Sequence, residues 1–191
     1  HVDDVVASDD TLLVVTADGQ EIETASIGLE GALGGVVSAG FKPAYGRAVV
    51  RTPGHAFCVP TQKLEEIKTA TPVIADLFDR YADVMIAQMM QLAACNALHP
   101  IEQRVGRWLL FAHDRAGDEP IRLTQETLAQ MLGVQRTTIS AVARTLQDAG
   151  VIDIGRGKVT IRDRAGLERR ACECHDAVEA HFRRILPKVE V

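Results

Sequence analysis

Several kinds of chemistry are missing from these 191 residues. No apolar run reaches the roughly 20 residues that span a bilayer, and the start carries no charged-then-apolar leader. The expectation is a soluble, cytoplasmic protein with no membrane partner. Cysteine is scarce, and Cys58, Cys95, Cys172 and Cys174 follow no disulfide-framework spacing, which fits a reducing compartment. His55, Cys58, His99, His113 and His181 are scattered, with no nucleophile–base spacing, no phosphate loop and no paired metal ligands. No catalytic residue and no metal ligand is therefore assigned, and an enzyme is not expected. Position 1 is His rather than Met, so the chain is expected to be a fragment lacking its true start.

What is present suits one or two globular domains, with 47% hydrophobic residues to fill their cores. The net charge of −5 is unevenly spread. Residues 1–100 hold 6 Lys and Arg against 13 Asp and Glu, or −7, whereas residues 101–191 hold 15 against 13, or +2. Affinity for nucleic acid depends on local basic surface, so the split suggests an acidic N-terminal module and a C-terminal one able to face a polyanion.

Residues 11–60 read as short strands. Thr11–Thr16 is β-branched and apolar, Asp18-Gly19 is a hairpin signal, and Glu21–Ile27 alternates. Glycines at 28, 31, 34, 35, 40 and 46 punctuate the chain before Ala48–Val50 and His55–Val59, which suits a small roll over residues 1–70. Thr71 then caps and Pro72 opens a helix that meets no breaker before Pro100. Its stripe of Ile74, Leu77/Phe78, Tyr81, Met85, Gln88/Met89, Leu92 and Cys95 lies near the 3.5-residue spacing of a helix-pairing seam. Residues 71–99 are therefore expected to be a dimerisation helix, with Ile74, Phe78, Tyr81, Met85, Gln88, Leu92 and Cys95 facing a second copy.

Residues 100–191 are expected to form a further domain. Ile101–Ala116 is helical, closed by Gly117, and Val105, Trp108, Leu109 and Ala112 form its inner face. From Gln125 to Val142 the chain reads as a helix, a tight turn and a second helix. Small Ala129 stands where the helices cross, and Gly133 where the turn needs positive φ; Leu128, Leu132, Val134, Ile139 and Val142 point inward. Val151–Ile154, Gly155-Arg156-Gly157-Lys158 and Val159–Ile161 follow as a two-stranded wing. Such a unit sets its second helix into the major groove of duplex DNA. Gln135, Arg136, Thr137, Thr138, Ser140 and Arg144 are the expected contacts from that helix, with Thr124 and Gln125 from the start of the first. Arg and Gln can bond base edges bidentately, while Arg156 and Lys158 on the wing suit phosphates.

The stretch Ala171-Cys172-Glu173-Cys174-His175 falls in a segment that reads as one helix from Asp163, its N-cap, to Ile185. On an unbroken helix Cys172 and Cys174 point about 200° apart and share neither a metal nor a disulfide. Cys174 is expected in the core, and Cys172 on a face with His175, Glu168 and Glu179.

A roll, a long helix, a short helix, a helix-turn-helix and a wing, in this order, resemble the Crp/Fnr family of bacterial transcription regulators. The motifs that carry the resemblance are Gln103–Leu110, entering the DNA-binding domain, and Arg136-Thr137-Thr138-Ile139-Ser140, opening the recognition helix. The resemblance implies an α+β fold with a cyclic-nucleotide-binding-like β-roll, N-terminally incomplete here, a long dimerisation helix and a C-terminal winged helix-turn-helix. It further implies a homodimer on a two-fold-symmetric operator, RNA polymerase as a partner, and control by an unknown small-molecule effector through the roll. The family's nucleotide cassette is altered: Glu30 precedes Gly31, no hydroxyl follows Arg47, and Met90–Ala94 lacks the Ser or Thr that meets an adenine. Cyclic AMP is not expected, and neither haem nor an iron–sulfur cluster is supported. Ala141 stands where many members carry Arg, so the usual operator does not carry over. The rival reading is a dimeric signalling module that has lost useful DNA affinity.

Overall fold

Proline and glycine set most of the helix boundaries. The chain is described by a computed structural model over residues 4–6, 10–28, 31–34, 36, 43–50, 57–117 and 119–186. Pro60 precedes α1 (Thr61–Ala70), Pro72 opens α2 (Pro72–Leu98), and Pro100 precedes α3 (Ile101–Ala116). A fixed φ near −65° suits Pro to these starts. Helices α2 and α3 have the expected limits. Helix α1 was not foreseen, although Leu64 is buried and Lys63, Glu65, Glu66 and Lys68 form i,i+3 pairs along it. No helix among the described residues is long and apolar enough to cross a membrane.

The described residues fall into two compact units that do not follow chain order. One takes the chain up to Val14, Thr24–Met90 and the residues from Val178 on; the other takes Val15–Glu23 and Gln91–Ala177. In the first unit, β1 (Asp4–Val6) pairs antiparallel with β5 (Phe57–Val59), and β2 (Asp10–Val15) lies between β3 (Glu21–Ile27) and β4 (Arg47–Val50). Strand β1 was not anticipated; the other strands match the reading within a few residues. Glu30, Gly35, Gly40 and His55 lie outside the described residues.

Ala25, Ile27 and Leu33 pack on Tyr81, Val84 and Met85 of α2, with Phe182 and Ile185 of α7 (Cys174–Ile185) at the margin. The Gln88 side chain bonds the backbone of Ser26 twice, accepting from its N–H and donating to its carbonyl, each at 3.2 Å. It thereby mimics a neighbouring strand on the open edge of β3. These contacts revise the expected dimer stripe. Tyr81, Met85, Gln88, Leu92 and Cys95 are covered by the chain itself, and Ile74 and Phe78 are half-buried. A 27-residue helix that is apolar on more than one side offers two candidate seams, and spacing does not tell which turns inward.

The second unit holds α3, β6 (Ile121–Arg122), α4 (Gln125–Leu132), α5 (Arg136–Asp148), β7 (Ile152–Gly155), β8 (Lys158–Ile161) and α6 (Arg164–Glu168). Val105 and Leu109 of α3 meet Leu128 and Leu132 of α4, Ile139, Val142 and Leu146 of α5, Ile152 and Val159 of the wing, and Leu167 of α6. The wing sheet has three strands in the order β6-β8-β7, one more than expected. The tip of the β2–β3 hairpin belongs to this unit too: Trp108 Nε1 donates to Glu23 Oε2 at 2.9 Å.

The expected single helix from Asp163 to Ile185 is two. Asp163 does cap, its Oδ1 accepting from Gly166 N at 2.9 Å, but α6 ends at Glu168 and α7 begins at Cys174. The cause is tertiary. Gly106 of α3 lets the backbone of Ala171 approach so closely that a Cβ at 106 would stand 3.0 Å from Ala171 Cα. Cys172 therefore precedes α7, the helical angle between the two cysteines no longer applies, and both thiols turn inward to meet Cys95.

Gly133 follows α4 in the left-handed region, with φ 65° and ψ 40°. Gly133→Ala is expected to lower stability by about 1–2 kcal/mol, read as a lower urea midpoint at unchanged m-value.

Candidate nucleic-acid interface

Helix α4 begins where the sequence dictates. Thr124 Oγ1 accepts from Thr127 N at 3.0 Å, satisfying an N–H that the first turn leaves open. Beyond α4, the N–H of Gly133 bonds Gln130 O at 3.1 Å and that of Val134 bonds Ala129 O at 3.0 Å, closing the turn. Gln135 then caps α5 in extended conformation. Ile139, Val142, Ala143 and Leu146 are buried on its inner face. Helical geometry turns Thr137, Ala141 and Arg144 outward, Gln135 and Arg136 stand at the start of the helix, and all five are exposed.

Ser140 sits between the two faces. Its hydroxyl donates to Gln125 Oε1 at 2.7 Å, fastening the start of α4 to α5. Thr138 is half-buried, and Thr137 Oγ1 lies 3.5 Å from Gln135 Oε1. Arg136 Nε stands 3.9 Å from Glu126 Oε2, with both side chains more than half exposed. Such a pair contributes little and yields readily to a better anion. Thr124, Gln125, Arg136 and Ser140 thus share one surface, while Arg144 stands two turns further along.

Arg156 is exposed on the turn between β7 and β8, and Lys158 is exposed at the start of β8. Arg122 was missed by the sequence reading: it is exposed in β6 and lies directly opposite Lys158 in the ladder. A two-residue strand carries no periodic signal, so only the pairing reveals this added cation. A cleft of about 420 Å³ separates the helices from the wing; Thr124, Gln125, Arg136, Gly155 and Gly157 border it, and apolar side chains such as Ile154 and Val159 line it.

The Crp-like helix-turn-helix domain matches residues 103–170. The HTH-type transcriptional regulator Cmr of Mycobacterium tuberculosis is 30% identical over 131 residues, 66% of this chain and 50% of that protein. The chain thus spans about half the length of the curated relative it matches. Residues 103–170 are thus similar to the helix-turn-helix domain of Crp-like regulators. Among solved structures, TTHB099, a CRP-family transcriptional regulator from Thermus thermophilus, superposes with a TM-score of 0.69 at 19% identity, over 87% of this chain and 85% of that one. FixK2 from Bradyrhizobium japonicum gives a TM-score of 0.61 at 17% identity, over 89% and 88%. At these identities the likeness shows a shared fold.

Within the same unit, Asp114 near the end of α3 holds two partners. His175 Nε2 lies 2.7 Å from Asp114 Oδ2, Arg164 Nη1 donates to Oδ1, and the His175 ring packs on Phe111 at 4.7 Å between centroids. Burial pushes the Asp114 carboxyl pKa up, but the bonds from His175 and Arg164 outweigh it and hold the group below its ordinary value. A carboxyl depressed in the folded state adds stability above its unfolded pKa and loses it as pH falls through the folded one. Asp114→Asn is expected to lower stability by about 1–3 kcal/mol at neutral pH, measured by urea unfolding. The gap between variant and parent should close as pH is lowered below the ordinary carboxylate range.

Proposed function

We propose that the chain is a sequence-specific regulator of transcription that binds duplex DNA as a homodimer on a two-fold-symmetric operator. The observation that carries the reading is the surface shared by α5 and the wing, where Gln135, Arg136 and Thr137 stand exposed and Arg122, Arg156 and Lys158 add positive charge. In this reading Arg136 and Gln135 address base edges, and the wing cations with Thr124 hold phosphates. Ser140 holds the oxygen of Gln125, so the amide nitrogen of Gln125 is the end that donates to DNA. Arg144 serves the phosphate backbone, and Thr138 adjusts the start of α5.

The dimer forms through the face of α2 that the chain leaves open. Val73, Ile86, Met90 and Leu98 are exposed along α2, and Ile86 and Met90, four residues apart, share the face proposed for the contact. The strand-rich unit at the N-terminal end of α2 is the place for an effector of unknown chemistry. RNA polymerase is the further partner at a promoter, and the cytoplasm is the compartment in which both are met.

Selection of binding sites from random duplex DNA, followed by titration at several salt concentrations, tests the reading. Sites with two-fold symmetry and steep salt dependence are expected; absence of binding at moderate salt would favour a signalling module without DNA affinity. Arg136→Ala should weaken binding to the selected site by about 1–3 kcal/mol and relax preference at one base pair per half-site. Lys158→Ala should weaken all sequences alike and reduce the salt slope by about 1 per protomer. Met90→Asp should shift the sedimentation coefficient towards that of a monomer.

A further inference from the structure

Two stretches far apart in the chain bring four soft or borderline donors to one point. Cys95 and His99 are four residues apart at the end of α2, where His99 N bonds Cys95 O at 3.0 Å, so their side chains leave the same face. Cys172, in the break between α6 and α7, and Cys174, the first residue of α7, flank Glu173 beside the close approach of Ala171 to Gly106. Cys95 Sγ lies 3.5 Å from Cys172 Sγ, and Cys174 Sγ lies 3.5 Å from His99 Nδ1. All four donor atoms fall within 4.8 Å of one another.

We propose that Cys95, His99, Cys172 and Cys174 form a tetrahedral site for one zinc-type divalent cation, which fastens the segment between α6 and α7 to the end of α2. Bond lengths of about 2.3 Å to sulfur and about 2.0–2.1 Å to nitrogen place the corners of such a tetrahedron about 3.5–3.8 Å apart. The two 3.5 Å separations already meet that figure. Three sulfurs and an imidazole nitrogen match the Cys₃His set of structural zinc, with no corner left for water.

The surroundings fit a metal better than they fit a patch of thiols in an apolar core. His99 Nε2, the nitrogen facing away from the sulfurs, lies 3.3 Å from Glu173 Oε1, the carboxylate partner that orients a ligating imidazole. Gln91 Nε2 donates to Cys174 Sγ at 3.0 Å, a bond that favours a thiolate. A dication with three thiolates carries one net negative charge. Arg104 donates through Nη2 to Leu132 O at 2.8 Å, and its buried Nε has no hydrogen-bond partner. The three cysteines are buried while His99 is only half-buried, which leaves a route for the ion. Binding converts three thiols to thiolates and releases three protons to solvent, with no change of oxidation state.

The test uses the full chain, purified without chelator under reducing conditions. Elemental analysis is expected to find one zinc per chain, and zinc removal should lower the thermal midpoint until zinc is restored. Cobalt(II) added to the metal-free chain should give tetrahedral ligand-field bands and sulfur-to-metal charge transfer, saturating at one equivalent. Cys174→Ser should weaken cobalt binding at least tenfold, and Cys58→Ser should leave it unchanged. Glu173→Gln alters an exposed side chain and so spares the fold; it should weaken affinity about 10- to 100-fold. Three outcomes would overturn the proposal: a folded chain free of metal that gives no cobalt bands, a Cys95–Cys172 disulfide found by mass under reducing purification, or Glu173→Gln and Cys174→Ser binding cobalt as the parent does. None of them bears on DNA binding, which is measured separately.

Discussion

Ile139 has no accessible surface, and together with Val142, Ala143 and Leu146 it fixes the rotation of α5 about its own axis. A slip of one residue would turn the helix by about 100°, carrying Arg136 towards the core and Ile139 towards water. Burial of side chains of this size is worth roughly 1.5–3 kcal/mol each, so the register is held firmly. Every outward group at the interface inherits its direction from that packing. The left-handed residue at 133 sets where α5 begins, and the bond from Ser140 to Gln125 adds a polar latch on the outer side.

Where the chain announces itself in sequence, it does so through chemistry with few alternatives. A capping Thr124, a small Ala129, a Gly133 forced to positive φ and a coherent inner face are hard to satisfy by accident, so the start of α4 and the turn into α5 are legible in the sequence. Pro72 and Pro100 delimit α2 and α3 for a similar reason. The misses share a different cause. Strand β6 is two residues long, and only its partner β8 makes it a strand and exposes Arg122 as a neighbour of Lys158. Helix α2 carries apolar residues on more than one side; the stripe containing Tyr81 and Met85 is taken by the chain's own core, and that choice is made by β3 and α7.

The break before Cys174 is the most instructive of these. Arg169-Arg170-Ala171-Cys172-Glu173 contains no Pro and no Gly, and its propensities favour continuing the helix. The glycine responsible lies some 65 residues earlier, at position 106, where missing side-chain volume admits the Ala171 backbone. Reading the cysteines as a helical pair separates them, and reading them beside α3 brings them together with Cys95 and His99. A net charge of −5 misleads in a similar way: it averages over surfaces that act locally, and the wing is basic regardless of it.

The hydrogen bond between Trp108 and Glu23 bears on how such proteins diversify. The unit that presents α5 is discontinuous: its indole is satisfied by a carboxylate from the β2–β3 hairpin, and Ile22 of the same hairpin lies so near Gly133 that a Cβ there would stand 3.1 Å from Ile22 Cδ1. A gene fusion that joined a foreign sensor at Pro100 would transplant the helices and the wing but leave the hairpin tip behind. Recombination between relatives should therefore favour exchanges that carry Val15–Glu23 along with Gln91–Ala177, and the domain behaves as an inlaid piece rather than a detachable tail.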